Sequence, residues 1–155
     1  MSPADLQSYH DFACALAREA GAIAKGHFST EATFINKPDN SPVTVADTEI
    51  NSLVISRCSA AFPEINILGE EESSNHSLRK DLLWVCDPID GTIPYTLGMP
   101  ISTFSLALVQ DGDPVIGIIY DFHSDRLFSA IKGKGVWLNG KALPLASKKE
   151  PLKLV

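Results

Sequence analysis

Apolar residues recur at helical spacing over the first part of the chain. From Leu6 to Phe28 they return every three or four positions, which predicts a helix of about six turns with one buried face. Three residues suit its start, as cap, first helical position and first-turn acid: Ser2, Pro3 and Asp5. A second helix is predicted from its cap Thr44 to Pro63, which ends it.

The later part of the chain changes to the alternating pattern of half-buried strands. Two turn sequences, Asp111–Pro114 and Asn139-Gly140, predict hairpins between them. Ile93–Ser102 contains two prolines and Gly98, and it predicts a loop before the first of these strands. The predicted strands are Thr103–Gln110, Val115–Asp121, Arg126–Lys132, Val136–Leu138 and Lys141–Leu143. The pattern predicts an α+β fold, with two N-terminal helices packed on a mostly antiparallel sheet.

Two short apolar runs end directly in acidic residues. Ile65–Leu68 leads into Gly69 and three glutamates, Glu70–Glu72, and Leu82–Cys86 leads into a segment with Asp87 and Asp90. If these strands are neighbours, their ends would assemble a site with several carboxylates, which suits a hard cation such as Mg²⁺. The alternative is structural, since Asp-Pro and Asp-Gly are common turn formers and a run of glutamates can be a solvated turn.

The connecting segments carry weaker signals. Ala32–Ile35 predicts a short strand, and a polar loop from Lys37 to Pro42 follows it. Lys37 could reach a phosphate, but a solvated lysine is the default interpretation. Residues 73–81 are polar and predict an exposed connection, and Pro151–Val155 is typical of either a strand cut short or a frayed tail.

Composition limits the classes of function. The 155 residues fit one domain, with 45% hydrophobic and 21% charged residues. A net charge of −6 disfavours a nucleic-acid binder, and no apolar run reaches the length of a membrane span. No signal peptide is recognisable, and the cysteines are odd in number and far apart, which favours a reducing cytosol: Cys14, Cys58 and Cys86.

Three ordered motifs resemble the inositol monophosphatase family of Mg²⁺-dependent sugar-phosphate phosphatases. They are Ser41–Asp47, Leu68–Glu71 and Trp84–Thr92. The resemblance covers essentially the whole chain, residues 1–155, but only the N-terminal portion of the layered α/β family domain. The family's later Trp-Asp motif is not found, because Trp84 precedes valine and Trp137 precedes leucine. We therefore expect the C-terminal half of the family domain to be missing.

The resemblance implies a two-metal site. By it, Glu70, Asp87 and the carbonyl of Ile89 would hold a first Mg²⁺, and Asp87 and Asp90 would contribute to a second. Glu70 would also face the nucleophilic water.

The resemblance also implies groups for the phosphate and the water. The N–H groups of Gly91 and Thr92 would hold the phosphate. Thr92, paired with Asp47, would orient or deprotonate the water. Asp47 also has a structural explanation, as a first-turn acid favoured by the helix dipole. The family's usual polar sequel to Asp-Gly-Thr is replaced by Ile93-Pro94-Tyr95, which affects the expected substrate choice.

The function expected from the resemblance is Mg²⁺-dependent hydrolysis of a small polyol or sugar phosphate, with inositol monophosphate as first candidate. Histidinol phosphate or a nucleotide 3′-phosphate is the nearest alternative substrate. A non-catalytic fragment or interaction module is the alternative from another class. Half of a layered domain should expose apolar surface, so we expect the chain to self-associate, and a homo-oligomer is possible.

Overall fold

A computed structural model describes residues 3–29, 33–38, 41–74 and 79–144. The helices are α1 (Pro3–His27), α2 (Val45–Ala61) and α3 (Thr92–Thr96). The strands are β1 (Phe34–Asn36), β2 (Pro42–Thr44), β3 (Ile65–Gly69), β4 (Arg79–Asp90), β5 (Thr103–Gln110), β6 (Asp113–Asp121), β7 (Arg126–Ile131), β8 (Gly135–Leu138) and β9 (Lys141–Ala142).

Strands β3 to β9 form one seven-stranded sheet in chain order. Only the β3–β4 pair is parallel, and every other neighbouring pair of this sheet is antiparallel. Strands β1 and β2 form a separate antiparallel pair. The predicted α+β fold, with two helices on a mostly antiparallel sheet, is confirmed.

Helices α1 and α2 pack against each other and against the sheet, α1 mainly on β5, β6 and β7 and α2 on β3 and β4. The side chains of the sheet face beneath them are buried. Trp84, in β4, is buried there and contacts Tyr9 of α1, with 6.2 Å between ring centroids. The hydrophobic core therefore lies between these helices and one face of the sheet.

The opposite face of the sheet is apolar but only partly buried. One row crosses five strands: Val85, Ala107, Gly117, Ala130 and Val136. None of these residues is fully buried. A Cβ added to Gly117 would meet no heavy atom of the described residues within 4 Å, so these residues leave the space above the centre of this face open. We call this row, with its neighbours Ile119 and Phe128, the open face.

The structure corrects several predicted boundaries. Strand β4 is longer than the predicted Leu82–Cys86, and its first residues, Arg79–Asp81, lie in the segment that predicted an exposed connection. Pairing on both sides, with β3 and β5, supports the longer strand. The predicted loop Ile93–Ser102 contains most of α3. Pro94 is tolerated because the first helical N–H groups have no intrahelical acceptor.

The hairpin of β1 and β2 was predicted only in part. The sequence predicted a polar loop from Lys37 to Pro42. In the structure Pro42 begins strand β2, which pairs with β1 in the register Phe34 to Thr44. The interpretations of Ser2, Ala32 and Pro151–Val155 lie outside the described residues. No helix in the described part of the chain is long and apolar enough to cross a membrane.

Candidate active site

The parallel pairing of β3 and β4 brings the two acidic strand ends together. Gly69 is paired with Cys86, and the N–H of Glu70 donates to the carbonyl of Cys86 over 3.2 Å. The next residue along each strand is a predicted metal ligand, Glu70 on one side and Asp87 on the other. The predicted meeting of the two carboxylate-bearing strand ends is confirmed.

The environment of Asp87 is unfavourable to its negative charge. Burial, the charges of Glu70 and Asp90, a hydrogen bond with Glu70 and the charge of Asp47 raise the pKa of Asp87 to about 7. Its Oδ1 atom is buried and has no hydrogen-bond partner within the described residues. A positive group at this position would lower the free energy of the ionised carboxylate.

Asp47 lies in the first turn of α2 and closes its capping box. Its Oδ2 atom accepts hydrogen bonds from the N–H of Thr44, over 2.8 Å, and from the Thr44 hydroxyl. Burial nevertheless raises the pKa of Asp47, and the hydrogen bonds from Thr44 offset only part of the rise. Oδ1 of Asp47 is buried without a partner in the described part of the chain, so the carboxylate has one oxygen left for another ligand.

The segment from Asp90 to Thr92 turns sharply from β4 into α3. Gly91 has a φ of 90° and is the N-cap of α3, a conformation that glycine adopts without strain. Asp90 is exposed and pairs with Thr103 across an irregularity in the β4–β5 register. The hydroxyl of Thr92 donates to the carbonyl of Ile89 over 2.9 Å.

The proposed partnership of Thr92 with Asp47 is not seen as a hydrogen bond. The hydroxyl of Thr92 is directed to Ile89, while Asp47 is bonded to Thr44. The two are still in one neighbourhood, because burial and then the charge of Asp47 raise the pKa of Tyr95, in α3, to about 12. Their catalytic roles stay predictions.

Lys37 is not the solvated lysine of the default interpretation. Its Nζ atom forms ion pairs with Glu70, at 2.9 Å, and with Glu71, at 2.6 Å. Burial would lower the pKa of Lys37, but the hydrogen bonds that its ammonium donates to both glutamates raise it well above its usual value. The polar loop composition gave no signal of this contact, because the two glutamates follow more than thirty residues later along the chain.

Asn51, in α2, is a second residue that sequence reasoning missed. It is buried, and its Nδ2 atom donates to the carbonyl of Glu72 over 3.1 Å. A Cβ on Gly69 would lie 2.2 Å from Oδ1 of Asn51 and 2.3 Å from the Glu72 carbonyl oxygen, so the turn after β3 has room only for glycine. Asn51 thus holds the turn that presents Glu70.

The donor set fits a hard divalent cation. Within the described residues, no group of three or more acidic, histidine or cysteine side chains is arranged to hold one metal ion. Mg²⁺ does not need such a group, because it commonly takes one or two carboxylates and keeps several waters. The partnerless buried oxygen of Asp87 and its raised pKa are what a carboxylate awaiting a cation would show.

Comparison with known proteins places the chain in a family. A sequence model of the inositol monophosphatase family matches residues 5–154. The chain belongs to the inositol monophosphatase family. It is 31% identical over 152 residues to inositol monophosphatase 2 of Solanum lycopersicum, an alignment that covers 96% of this chain and 57% of that protein.

Solved structures agree with the sequence match. The Thermotoga maritima IMPase superposes with a TM-score of 0.80 at 29% identity, covering 89% of this chain and 54% of that one. An IMPase/NADP phosphatase complexed with Mg²⁺ and phosphate superposes with a TM-score of 0.77 at 27% identity, covering 89% and 53%. The chain therefore spans about half the length of the relatives it matches.

Proposed function

We propose that this chain carries the metal-binding and phosphate-binding part of a Mg²⁺-dependent phosphate monoester hydrolase. The observation that supports this most is the meeting of Glu70 and Asp87 at the parallel ends of β3 and β4, next to Asp90. Family membership and a similar structure complexed with Mg²⁺ and phosphate support the same assignment.

The proposed metal ligands are the carboxylates of Glu70, Asp87 and Asp90 and the carbonyl of Ile89. When bound there, Mg²⁺ would lower the pKa of a water ligand and offset the charge of a phosphate group. Asp87 is half-buried, and the carboxylates of Glu70 and Asp90 are exposed. Glu70 would exchange its ion pair with Lys37 for the metal.

The proposed phosphate contacts are main-chain N–H groups of Gly91 and Thr92. The left-handed backbone of Gly91 ends β4 and starts α3, and N–H groups at such a turn suit anions. Asp47, with its free Oδ1 atom, would accept a hydrogen bond from the attacking water, and Thr92 would orient that water. Phosphoryl transfer of this kind depends mainly on positioning and charge stabilisation.

For the substrate we propose a small phosphorylated polyol or sugar, with inositol monophosphate first. The names of several relatives refer to inositol monophosphate. The relative named IMPase/NADP phosphatase keeps a nucleotide phosphate as the second candidate. In this chain Ile93 follows Thr92 and is exposed by 61%. The surface beside the proposed phosphate contacts is therefore apolar at this position.

The test is to purify residues 1–155 and measure two quantities, Mg²⁺ binding by calorimetry and release of inorganic phosphate from inositol monophosphate. Asp90→Asn is the test variant. Asp111→Asn is the matched control, because Asp111 is exposed in a hairpin turn at a φ of 52°, which asparagine tolerates.

Mg²⁺-dependent release that is lost in Asp90→Asn and kept in Asp111→Asn would support the proposal. Equal release by Asp90→Asn would contradict the role of Asp90. Mg²⁺ binding without any release would favour the alternative of a non-catalytic fragment. Absence of both Mg²⁺ binding and phosphate release would contradict the proposed metal site.

A further inference from the structure

Ser102 and His123 form a partly buried polar contact near the turn at Gly91. Ser102 is 0% exposed, and its Oγ atom lies 3.0 Å from Nε2 of His123, within hydrogen-bond distance. Burial lowers the pKa of His123 more than the charge of Asp121 raises it. The imidazole is therefore neutral at neutral pH, and Nε2 can accept the hydrogen of the Ser102 hydroxyl.

Ser102 lies close to Gly91. A Cβ built on Gly91 would be 3.6 Å from the Cα and 3.7 Å from the Cβ of Ser102, which is ordinary contact distance. Ser102 also precedes Thr103, the residue that pairs with Asp90 beyond the irregularity in the β4–β5 register. Ser102 thus comes within one side-chain carbon of contact with Gly91, and it adjoins the strand pairing that holds Asp90, the residue before Gly91.

His123 is itself held from several sides. Its N–H donates to Oδ1 of Asp121 over 3.1 Å. Its ring packs against Phe28, at the end of α1, with 4.5 Å between ring centroids, and against Phe122 at 4.4 Å. Because the main chain and the ring are both fixed, Nε2 is a fixed point to which Ser102 can be tied.

Phe28, which packs against His123, also contacts α3. Phe28 contacts Tyr95 at 5.4 Å between ring centroids, and the Tyr95 hydroxyl donates to the carbonyl of Ala24 over 2.7 Å. The contacts run from α3 through Tyr95, Phe28 and His123 to Ser102, which lies close to Gly91. Among these contacts the one between Ser102 and His123 is polar.

We propose that Ser102 and His123 are positioning residues that hold the turn of Gly91 and Thr92 in place. The expected effect on phosphate binding rests on the proposed function, since the N–H groups of Gly91 and Thr92 are the proposed phosphate contacts. Neither residue needs to touch substrate. Both act through the backbone of Gly91.

The test uses residues 1–155 with three substitutions. Ser102→Ala removes the hydroxyl at almost constant volume. His123→Phe removes Nε2 but keeps a ring against Phe28, so it provides a second route if the first variant folds poorly. Ser129→Ala is the matched control, because Ser129 is buried at 3% exposure in β7, in the same sheet but away from Gly91.

The first measurement is amide hydrogen exchange of the segment from Asp90 to Thr96. Ser102→Ala and His123→Phe should each accelerate exchange there by about tenfold, the ratio expected when one hydrogen bond is lost. The double variant should be no faster than either single one, because both remove the same bond. Ser129→Ala should leave this segment unchanged, even if it lowers the midpoint of thermal unfolding.

The second measurement is binding of inorganic phosphate in the presence of Mg²⁺. Phosphate affinity should fall by about tenfold in both test variants and not in Ser129→Ala. Unchanged exchange in the test variants, or equal acceleration in the control, would overturn the proposal. If exchange responds as expected but the unsubstituted chain binds no phosphate, the positioning role stands and the proposed function fails.

Discussion

Asp87 is a half-buried carboxylate at the end of β4. It is flanked by Glu70 and Asp90, and its pKa is raised to about 7 by burial and by their charges. A carboxylate that is costly to ionise destabilises the folded chain at neutral pH, and a cation that pairs with it removes the cost.

The first prediction concerns Asp87→Asn. Without Mg²⁺ the variant should unfold at a temperature a few degrees above that of the unsubstituted chain, because one of the repelling carboxylates is gone. Added Mg²⁺ should raise the unfolding temperature of the unsubstituted chain and not of the variant. Thermal unfolding with a chelator and then with Mg²⁺ measures both effects. A variant that gains from Mg²⁺ as much as the unsubstituted chain would show that Asp87 is not a ligand.

The second prediction concerns Lys37→Gln. The ammonium of Lys37 holds Glu70 and Glu71, so it competes with a metal for the first of them and repels the metal's charge. Its removal should tighten Mg²⁺ binding several-fold in calorimetry. Lys132→Gln is the control, since Lys132 is an exposed lysine paired with Asp113 at 3.2 Å. Weaker Mg²⁺ binding in Lys37→Gln would mean that the lysine organises the site.

Helix α2 shows how a single element serves the site. Thr44 caps the helix and forms the capping box with Asp47. This box fixes Asp47 in the first turn, beside the carboxylates. The sequence predicted this start correctly because a cap and a third-position acid are local signals. The position of Asp47 relative to the other carboxylates depends on the packing of α2 against β3 and β4, which is not local.

The third prediction tests the cap. Thr44→Ala should lower the free energy of unfolding by about 1 kcal/mol, the usual cost of losing such a cap. Urea unfolding measures the change. Thr48→Ala, an exposed position one turn later, should cost nothing, because alanine is the better helix former. Equal losses at the two positions would indicate that the capping box contributes no stability.

The fourth prediction concerns the turn between β6 and β7. Burial would raise the pKa of Asp121, but hydrogen bonds from Ser124 and Arg126 outweigh it and lower the pKa. The unfolded chain then binds more protons than the folded one, so this contribution to stability is present above the ordinary pKa of 3.8 and disappears as pH falls through the lowered folded value. Ser124→Ala should therefore destabilise the chain at neutral pH and have a smaller effect in acid.

Urea unfolding of Ser124→Ala and the unsubstituted chain at a series of pH values measures this difference. A destabilisation that stays constant from neutral pH to well below 3.8 would mean that the Ser124 hydroxyl acts independently of the Asp121 charge.

At the scale of the whole molecule, the sheet has one covered face and one open face. The open face is apolar at its centre, with small residues in a row and Ile119 exposed by 50%. Uncovered apolar surface of this kind favours association. The chain also spans about half the length of its relatives, and only that part of each relative aligns with it.

The fifth prediction is that the chain self-associates through the open face. Light scattering should show a mass that rises with concentration. Gly117→Lys should reduce the association, because it puts a charge at the centre of the face where an added Cβ meets nothing within 4 Å. Gly26→Lys is the matched control, since a Cβ there also meets nothing and the residue is exposed in the last turn of α1. A monomer at every concentration would contradict the prediction.

Much of the fold could be predicted from the sequence because the signals are local. The 3.6-residue period of α1, the capping box of α2 and the Asn139-Gly140 turn each involve neighbouring residues. The boundaries that differed depend on pairing between distant segments. Strand β4 extends because it lies between β3 and β5, and β2 exists because β1 lies beside it.

The sequence by itself determined where the acidic residues fall along the strands and turns. Carboxylates at the ends of two apolar strands, and the Asp-Gly-Thr turn after the second, could be identified without coordinates because strand ends and turns are written in consecutive residues. Only the tertiary structure decided which charges meet. It placed Lys37 on Glu70 and Glu71, directed the Thr92 hydroxyl to Ile89, and set His123 against Ser102. Such contacts join residues far apart in the chain, and their energies depend on distance and burial, which no local pattern contains.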